Sequence, residues 1–251
     1  MGLVSSQDHS FLGSTFDDYR ANFPYQGDQL FRVLFERNQD RIKSKKIDIA
    51  ANNLQKIFES TFTLSAKMGF HEMSLRGLSK DTGISMGGLY SCLSKKEDIA
   101  LMVLDIVELV TTENNQLARA EANELISLEM GIKYHLYAST LLQPWFFFLY
   151  FETRSLNPEN QQRSKNIEMN IIAMFEETIK RGLNKTQFDV HNPYFVAHII
   201  LLAIQDWYLK PWKNKQEDLS LETYSDYLFI MVKKLLRLDE GSLSIMQKNL
   251  S

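Results

Sequence analysis

The chain is poor in the residues that carry most covalent and metal chemistry. Cys92 is the single cysteine among 251 residues, which excludes an internal disulfide and any multi-cysteine metal site. The same scarcity fits a reducing compartment, so a cytoplasmic location is expected. None of the five histidines lies in a His-Glu-x-x-His motif, and none follows a Glu by three residues as bundle di-iron sites require. No Gly-x-Ser-x-Gly, phosphate loop or paired-cysteine motif occurs. A non-enzyme without cofactor or metal is therefore expected. The start MGLVSSQDHS lacks the basic and apolar regions of a secretory signal, although it fits the N-myristoylation pattern at Gly2. The longest apolar stretches, WFFFLYF (145–151) and FVAHIILLAI (195–204), fall well short of the roughly 20 residues that span a bilayer, so no membrane partner is expected.

Five prolines and 11 glycines are also few, and strand-like alternation is scarce. Apolar residues instead recur every three or four positions, the period of amphipathic helices. With 44 % apolar residues the chain can bury a substantial core in one or two domains. The fold class is all-α. A net charge of −3 argues against a uniformly basic nucleic-acid binder, but the charge is segregated. Residues 41–100 carry ten Lys/Arg against six Asp/Glu, a balance of +4 that leaves −7 on the other 191 residues. A basic segment on an acidic body marks a possible contact with polyanions.

The first 40 residues have no clear period but hold seven aromatics, among them Phe11, Phe16, Tyr19, Phe23, Tyr25 and Phe31, which predicts docking on the body. Asp28 can cap a short helix to about residue 37. Further helices are expected over 45–67, 75–81 (capped by Ser74) and 86–93 (capped by Ser85). Another should run from about 97 to 122, opened by Ser94-Lys-Lys-Glu97 as a capping box. Beyond it lie segments 125–142, 144–156, 158–182, 193–210 and 220–238. Pro144, Pro158 and Pro193 suit first-turn positions, and Asn157, Asn192 and Ser220 suit caps.

The stretch DTGISMGGLYSCLSKKED (81–98) has the makings of a helix-turn-helix. Ser79 is small and lies where two short helices would cross. Gly83 comes four residues later, where a tight turn demands positive φ. Leu89 is placed to plug the angle between the helices. The outward face is then Ser85, Met86, Gly88 and Ser91, with Gly87 beside it. Gly87 and Gly88 each weaken a helix by roughly 1 kcal/mol relative to Ala. If that face enters a major groove, their small size permits close approach to base edges. The basic arm Arg41–Lys46, with Lys45 and Lys46 nearest the first helix, can reach the phosphate backbone.

Residues 57–101 resemble the DNA-binding domain of the TetR family of bacterial transcriptional regulators. Ile57, Gly69, Phe70, Ser74, Leu75, Leu78, Gly83, Ile84, Ser85, Gly87, Leu89, Tyr90, Lys96, Glu97 and Ile99 match its motif with correct spacing. Departures are Thr61 and Ser79 for Ala, Ser65 for Phe, Cys92 for His or Tyr, and Leu93 for Phe, which implies an atypically packed small core. The resemblance implies phosphate contacts by Tyr90 and Lys96 and by the Ser74, Leu75, Arg76 end of the second helix. It implies base contacts by Ser85, Met86, Gly88 and Ser91. A redox role for Cys92 would require Lys95 or Lys96 to lower its pKa.

Past residue 97 the last two helices are apolar on more than one face through Ile199, Leu202, Trp207, Tyr224, Leu228, Met231 and Leu235, and so need cover. In the family these helices form the homodimer interface. Between them and the DNA-binding part, an apolar pocket with a few polar groups is expected from His135, Trp145, Phe148, Glu152, Met174, His198 and Gln205. The segments 144–156, 157–164, 182–197 and 205–212 resemble family regulators of lipid and fatty-acid metabolism. The expected organisation is an extension with its basic arm (1–44), a three-helix DNA-binding domain (45–96) and a helical effector-binding and dimerisation domain (97–251). The function expected is a ligand-responsive, dimeric regulator, a repressor released from a near-palindromic operator on double-stranded DNA by a small apolar, acyl-type effector. Alternatives are a protein of this fold that acts through protein contacts made by its N-terminal extension, or an all-α lipid carrier.

Overall fold

The computed structural model describes residues 15–238; Gly2 and Phe11 lie outside the described residues. The described chain is helical with short connections and no strand. Its helices are α1 (Phe16–Asn22), α2 (Gly27–Arg37), α3 (Ile47–Met68), α4 (Leu75–Thr82), α5 (Met86–Cys92) and α6 (Glu97–Ala120). They continue with α7 (Glu124–Leu141), α8 (Gln143–Glu152), α9 (Pro158–Asn184), α10 (Pro193–Leu209), α11 (Pro211–Gln216) and α12 (Leu221–Leu235). No described helix is long and apolar enough to cross a membrane.

Cap chemistry sets many of the boundaries. Ser74, Ser85, Asn192 and Ser220 each accept a bond from the backbone N–H three residues on, which satisfies a donor the helix start leaves without a partner. The Ser94–Glu97 capping box does not form. Asp98 does the work instead: its Oδ2 accepts from the backbone N–H of Ser94 at 2.8 Å and of Lys95 at 3.0 Å. Two helices escape the periodicity reading. At α1 the signal is Thr15-x-x-Asp18, where Asp18 N donates to Thr15 Oγ1 at 3.2 Å and that hydroxyl donates to Asp18 Oδ2 at 2.7 Å. At α11 it is Pro211 in the first turn.

Two compact units form, and neither is one continuous stretch. The first is Phe23–Val110 with Leu141–Ile167; the second, among the described residues, takes in 15–22, 111–140 and 168–238. The chain therefore passes between them four times: after Asn22, within α6, at the end of α7 and within α9. In the first unit an aromatic core joins three helices and the loop after α3. Phe58 of α3 stacks on Trp145 of α8 at 4.7 Å, with Phe31 of α2 6.2 Å from the same indole. Phe148 of α8 meets Phe62 and Phe70 at 5.8 and 5.2 Å. So the aromatic helix at 143–152, expected at the centre of the effector part, belongs to the unit that carries the helix-turn-helix. In the second unit Tyr19 is buried, its hydroxyl 3.1 Å from Asn114 Oδ1 and its ring 5.6 Å from those of Tyr134 and Tyr137. Tyr19, Phe23, Tyr25 and Phe31 are all buried, so these four aromatics pack inside their own chain.

Candidate nucleic-acid interface and ligand cleft

The helix-turn-helix is built by a small set of local constraints. Gly83 ends α4 in the left-handed region, φ 70°, where L side chains are strained. Thr82 Oγ1 accepts from Ile84 N at 3.2 Å, and Ser79 Oγ donates to Ile84 O at 2.6 Å across the turn. Leu78 and Leu89 are fully buried between the helices. Ser60 Oγ of α3 donates to Asp81 Oδ2 of α4 at 2.5 Å. These contacts fix the seven-residue α5 against the turn and α4.

Its outward face differs from expectation: of the four residues expected there only Ser85 is exposed, and Gly87 joins it. Ser85 and Gly87 are exposed, Tyr90 is 44 % exposed, and Met86 is half-buried. A Cβ added at Gly87 would meet nothing within 4 Å, whereas one at Gly88 would lie 2.7 Å from Ile84 Cγ2. Gly88 thus serves internal packing, and Gly87 is the open position. Ser91 is half-buried, its Oγ donating to Gly88 O at 2.7 Å.

Around α5, Lys45, Lys46, Ser74 and Arg76 are exposed, and Leu75 is half-buried. Lys43 N and Ser44 N both donate to Ser91 O, at 2.9 and 3.0 Å, so the basic arm runs along the end of α5. Lys96 behaves differently from the others. Its ammonium donates to the carbonyls of Phe70, His71 and Met73 at 3.1, 2.8 and 3.0 Å and sits 5.1 Å from the Phe70 ring centroid. All three of its N–H groups are committed within the chain. Cys92 is fully buried, and burial pushes its thiol up from the ordinary value; the lowered pKa that a redox switch needs is absent.

The residues expected to line one pocket separate. Trp145 belongs to the aromatic core described above. His135 is buried in the second unit, its Nε2 2.9 Å from Asn115 Oδ1, and burial alone pulls it down to about 4. Met174 is buried and lies against Gly131, where a Cβ would meet its Cε at 3.0 Å. Gln205 is buried on α10; His198 is half-buried, and its Nδ1 has no hydrogen-bond partner. Phe148 and Glu152, by contrast, line a cleft of about 530 Å³ between α3 and α8, walled also by Phe62, Phe147 and Phe151, with Arg154 at its edge. Ser65 lines it too. That is the position at which the family resemblance expects Phe, and the missing ring helps to leave the space open. Among the described residues no group of three His, Cys, Asp or Glu is placed to hold a metal.

On α10 and α12 the outward stripe is turned relative to the expected one. Leu202, Met231 and Leu235 are exposed. Leu228 is buried, and Ile199 is half-buried. Trp207 and Tyr224 pack on each other at 4.9 Å, with Trp207 Nε1 donating to Thr140 Oγ1 at 2.9 Å and Tyr224 OH to Ala203 O at 2.7 Å. Phe195, Tyr227 and Ile230 are exposed in addition, Tyr227 by 65 %.

No family model and no curated protein matches the chain, but solved structures do. A regulatory protein of the TetR family from Rhodococcus RHA1 is similar with a TM-score of 0.66 at 14 % identity, over 75 % of this chain and 98 % of that one. AibR in complex with isovaleryl coenzyme A and operator DNA is similar at 0.60 and 16 %, over 74 % and 100 %. The transcriptional regulator FadR from Bacillus subtilis in complex with stearoyl-CoA is similar at 0.55 and 16 %, over 71 % and 96 %. The likeness is one of fold, and the fold of this chain is that of the TetR-family regulators.

Proposed function

We propose that this chain is a ligand-responsive transcriptional regulator that binds operator DNA as a homodimer, α5 of each copy entering a major groove. The observation that carries the reading is the face of α5. It is short of side chains at Ser85 and Gly87, ends in the exposed Tyr90 and is flanked by the exposed Lys45, Lys46 and Arg76. Small residues let the helix backbone approach base edges, while the cations and Tyr90 hydroxyl meet phosphates. Ser74, Leu75, Ser91 and Met86 complete the contact surface. Lys96 acts in this reading by fixing the loop before α4 rather than by touching DNA. Residues 45–96 form the DNA-binding part and 97–251 supply dimerisation, through the exposed apolar stripe on α10 and α12.

The effector is a small apolar, acyl-type molecule. The α3/α8 cleft suits it because four phenylalanines wall it and Glu152 and Arg154 offer polar anchors, the composition of small-molecule sites. Occupancy changes the packing of α3, which carries the arm at its start, and releases a repressor from its site. This works only if the effector binds the non-reading arrangement more tightly. Titration of purified protein onto DNA flanking its own gene tests the reading. Specific, salt-dependent binding with two-fold protection is expected; weak binding without sequence preference would favour a carrier. Ser65→Phe should fill the cleft and abolish release by acyl ligands while leaving operator affinity within about threefold.

A further inference from the structure

We propose that Asp105 and Arg163 are positioning residues for the basic arm, holding it in register beside α5 from helices that make no DNA contact themselves. The inference rests on the reading of α5 and the arm as the DNA surface. The arm between α2 and α3 has no regular secondary structure, yet it is fixed at two levels. The first is backbone: Lys43 N and Ser44 N converge on Ser91 O at 2.9 and 3.0 Å. That carbonyl is one of those a helix end leaves without a helical partner, so the arm caps the reading helix. Ser94 Oγ adds a bond to Arg41 O at 3.4 Å.

The second level is charge. Arg41 Nη1 lies 2.7 Å from Asn38 Oδ1, 3.6 Å from Asp40 Oδ1 and 3.8 Å from Asp105 Oδ2. The other Asp105 oxygen accepts from Arg163 Nη2 at 2.5 Å, and Arg163 also pairs with Glu108. One carboxylate is shared by two guanidiniums, one oxygen each. The Asp105 side chain is only 12 % exposed. A carboxylate so far out of water is held by its partners, and losing one leaves charge poorly compensated. Arg163 therefore fixes the orientation in which Asp105 faces Arg41, two residues before the amides that cap α5.

Asp105 lies on α6 and Arg163 on α9, the two helices that continue into the second unit past Val110 and Ile167. A shift of one helix along the other acts first on the Arg163–Asp105 pair, then on Arg41, and then on the arm. A shift of α6 against α9 thereby has a physical route to the reading helix, distinct from the α3 route of the proposed cleft, that does not require α5 to unfold.

The test uses the full-length protein with Asp105→Asn and, separately, Arg163→Gln. Hydrogen exchange should speed up about tenfold or more at the Lys43 and Ser44 amides while the amides of central α3 stay protected. Operator affinity should fall about tenfold, and its salt dependence should become shallower as arm lysines leave the phosphates. For Asp105→Asn the sign of the affinity change is decisive, because removing an acid by charge alone strengthens binding to DNA; for Arg163→Gln, which removes a cation, exchange at Lys43 and Ser44 decides. Unchanged exchange at Lys43 and Ser44, or affinity equal to or tighter than wild type, overturns the proposal. The exchange readout needs no DNA, so it reports on the clamp even if wild type shows no specific binding, the outcome that would overturn the proposed function instead. Should Asp105→Asn fail to fold, Arg163→Gln, at a side chain 31 % exposed, carries the test.

Discussion

Ser79 Oγ donates to the carbonyl oxygen of Ile84 at 2.6 Å, so the turn of the helix-turn-helix is closed from within by a side chain of α4. The family resemblance expects Ala here, and Ala would leave that carbonyl to solvent. Ser79→Ala should therefore cost about 1 kcal/mol and lower the melting temperature by about 2–4 °C, which calorimetry measures. Gly83→Ala should cost about 1–2 kcal/mol through left-handed backbone strain, since the space around its Cβ position is empty.

Leu202→Arg or Met231→Arg should convert a dimer to monomer in sedimentation analysis without loss of helix content. Both side chains are exposed on α10 and α12, so a charge there costs nothing inside the protomer but cannot be buried against a second copy. Leu228→Arg should unfold the protein, because Leu228 is buried. A wild type that is monomeric at micromolar concentration would contradict the assignment.

His135 makes the protein acid-sensitive. Burial pulls its folded value down to about 4 from 6.5, so between those values the unfolded chain binds more protons. Stability present above pH 6.5 is then lost as pH falls toward 4, by roughly 3 kcal/mol in the limit. Denaturant titrations at pH 7 and pH 4.5 should show a shallower acid loss in His135→Gln than in wild type; equal losses would contradict the burial of a neutral imidazole.

The helix-turn-helix was legible because its constraints are local. Gly83, Ser85, Leu78 and Leu89 act within about ten residues of one another, and spacing alone exposes them. Tertiary partners are not carried by spacing. Nothing along the chain pairs α8 with α3, so the sequence pattern groups Phe148 and Glu152 with His135 and Met174, which lie in the core of the other unit. A polar residue on an apolar helix does not reveal whether its partner is a ligand or, as for His135, Asn115 at 2.9 Å. On α12 Met231 and Leu235 are exposed as the period predicts, whereas Leu228 is buried and Tyr227 and Ile230 face outward. Which stripe faces outward depends on where α10 packs. Gly87 and Gly88 looked equivalent; only the placement of Ile84 distinguishes them.

Gly87 offers the most direct measurement. Its Cβ position is open, so Gly87→Leu should leave the fold at least as stable as wild type, with up to about 1 kcal/mol gained from helix propensity. Operator affinity, measured beside the melting temperature on the same preparation, should fall about tenfold or more because the added side chain holds the helix off the base edges. A Gly87→Leu protein that is as stable as wild type and binds the operator just as tightly would contradict the account.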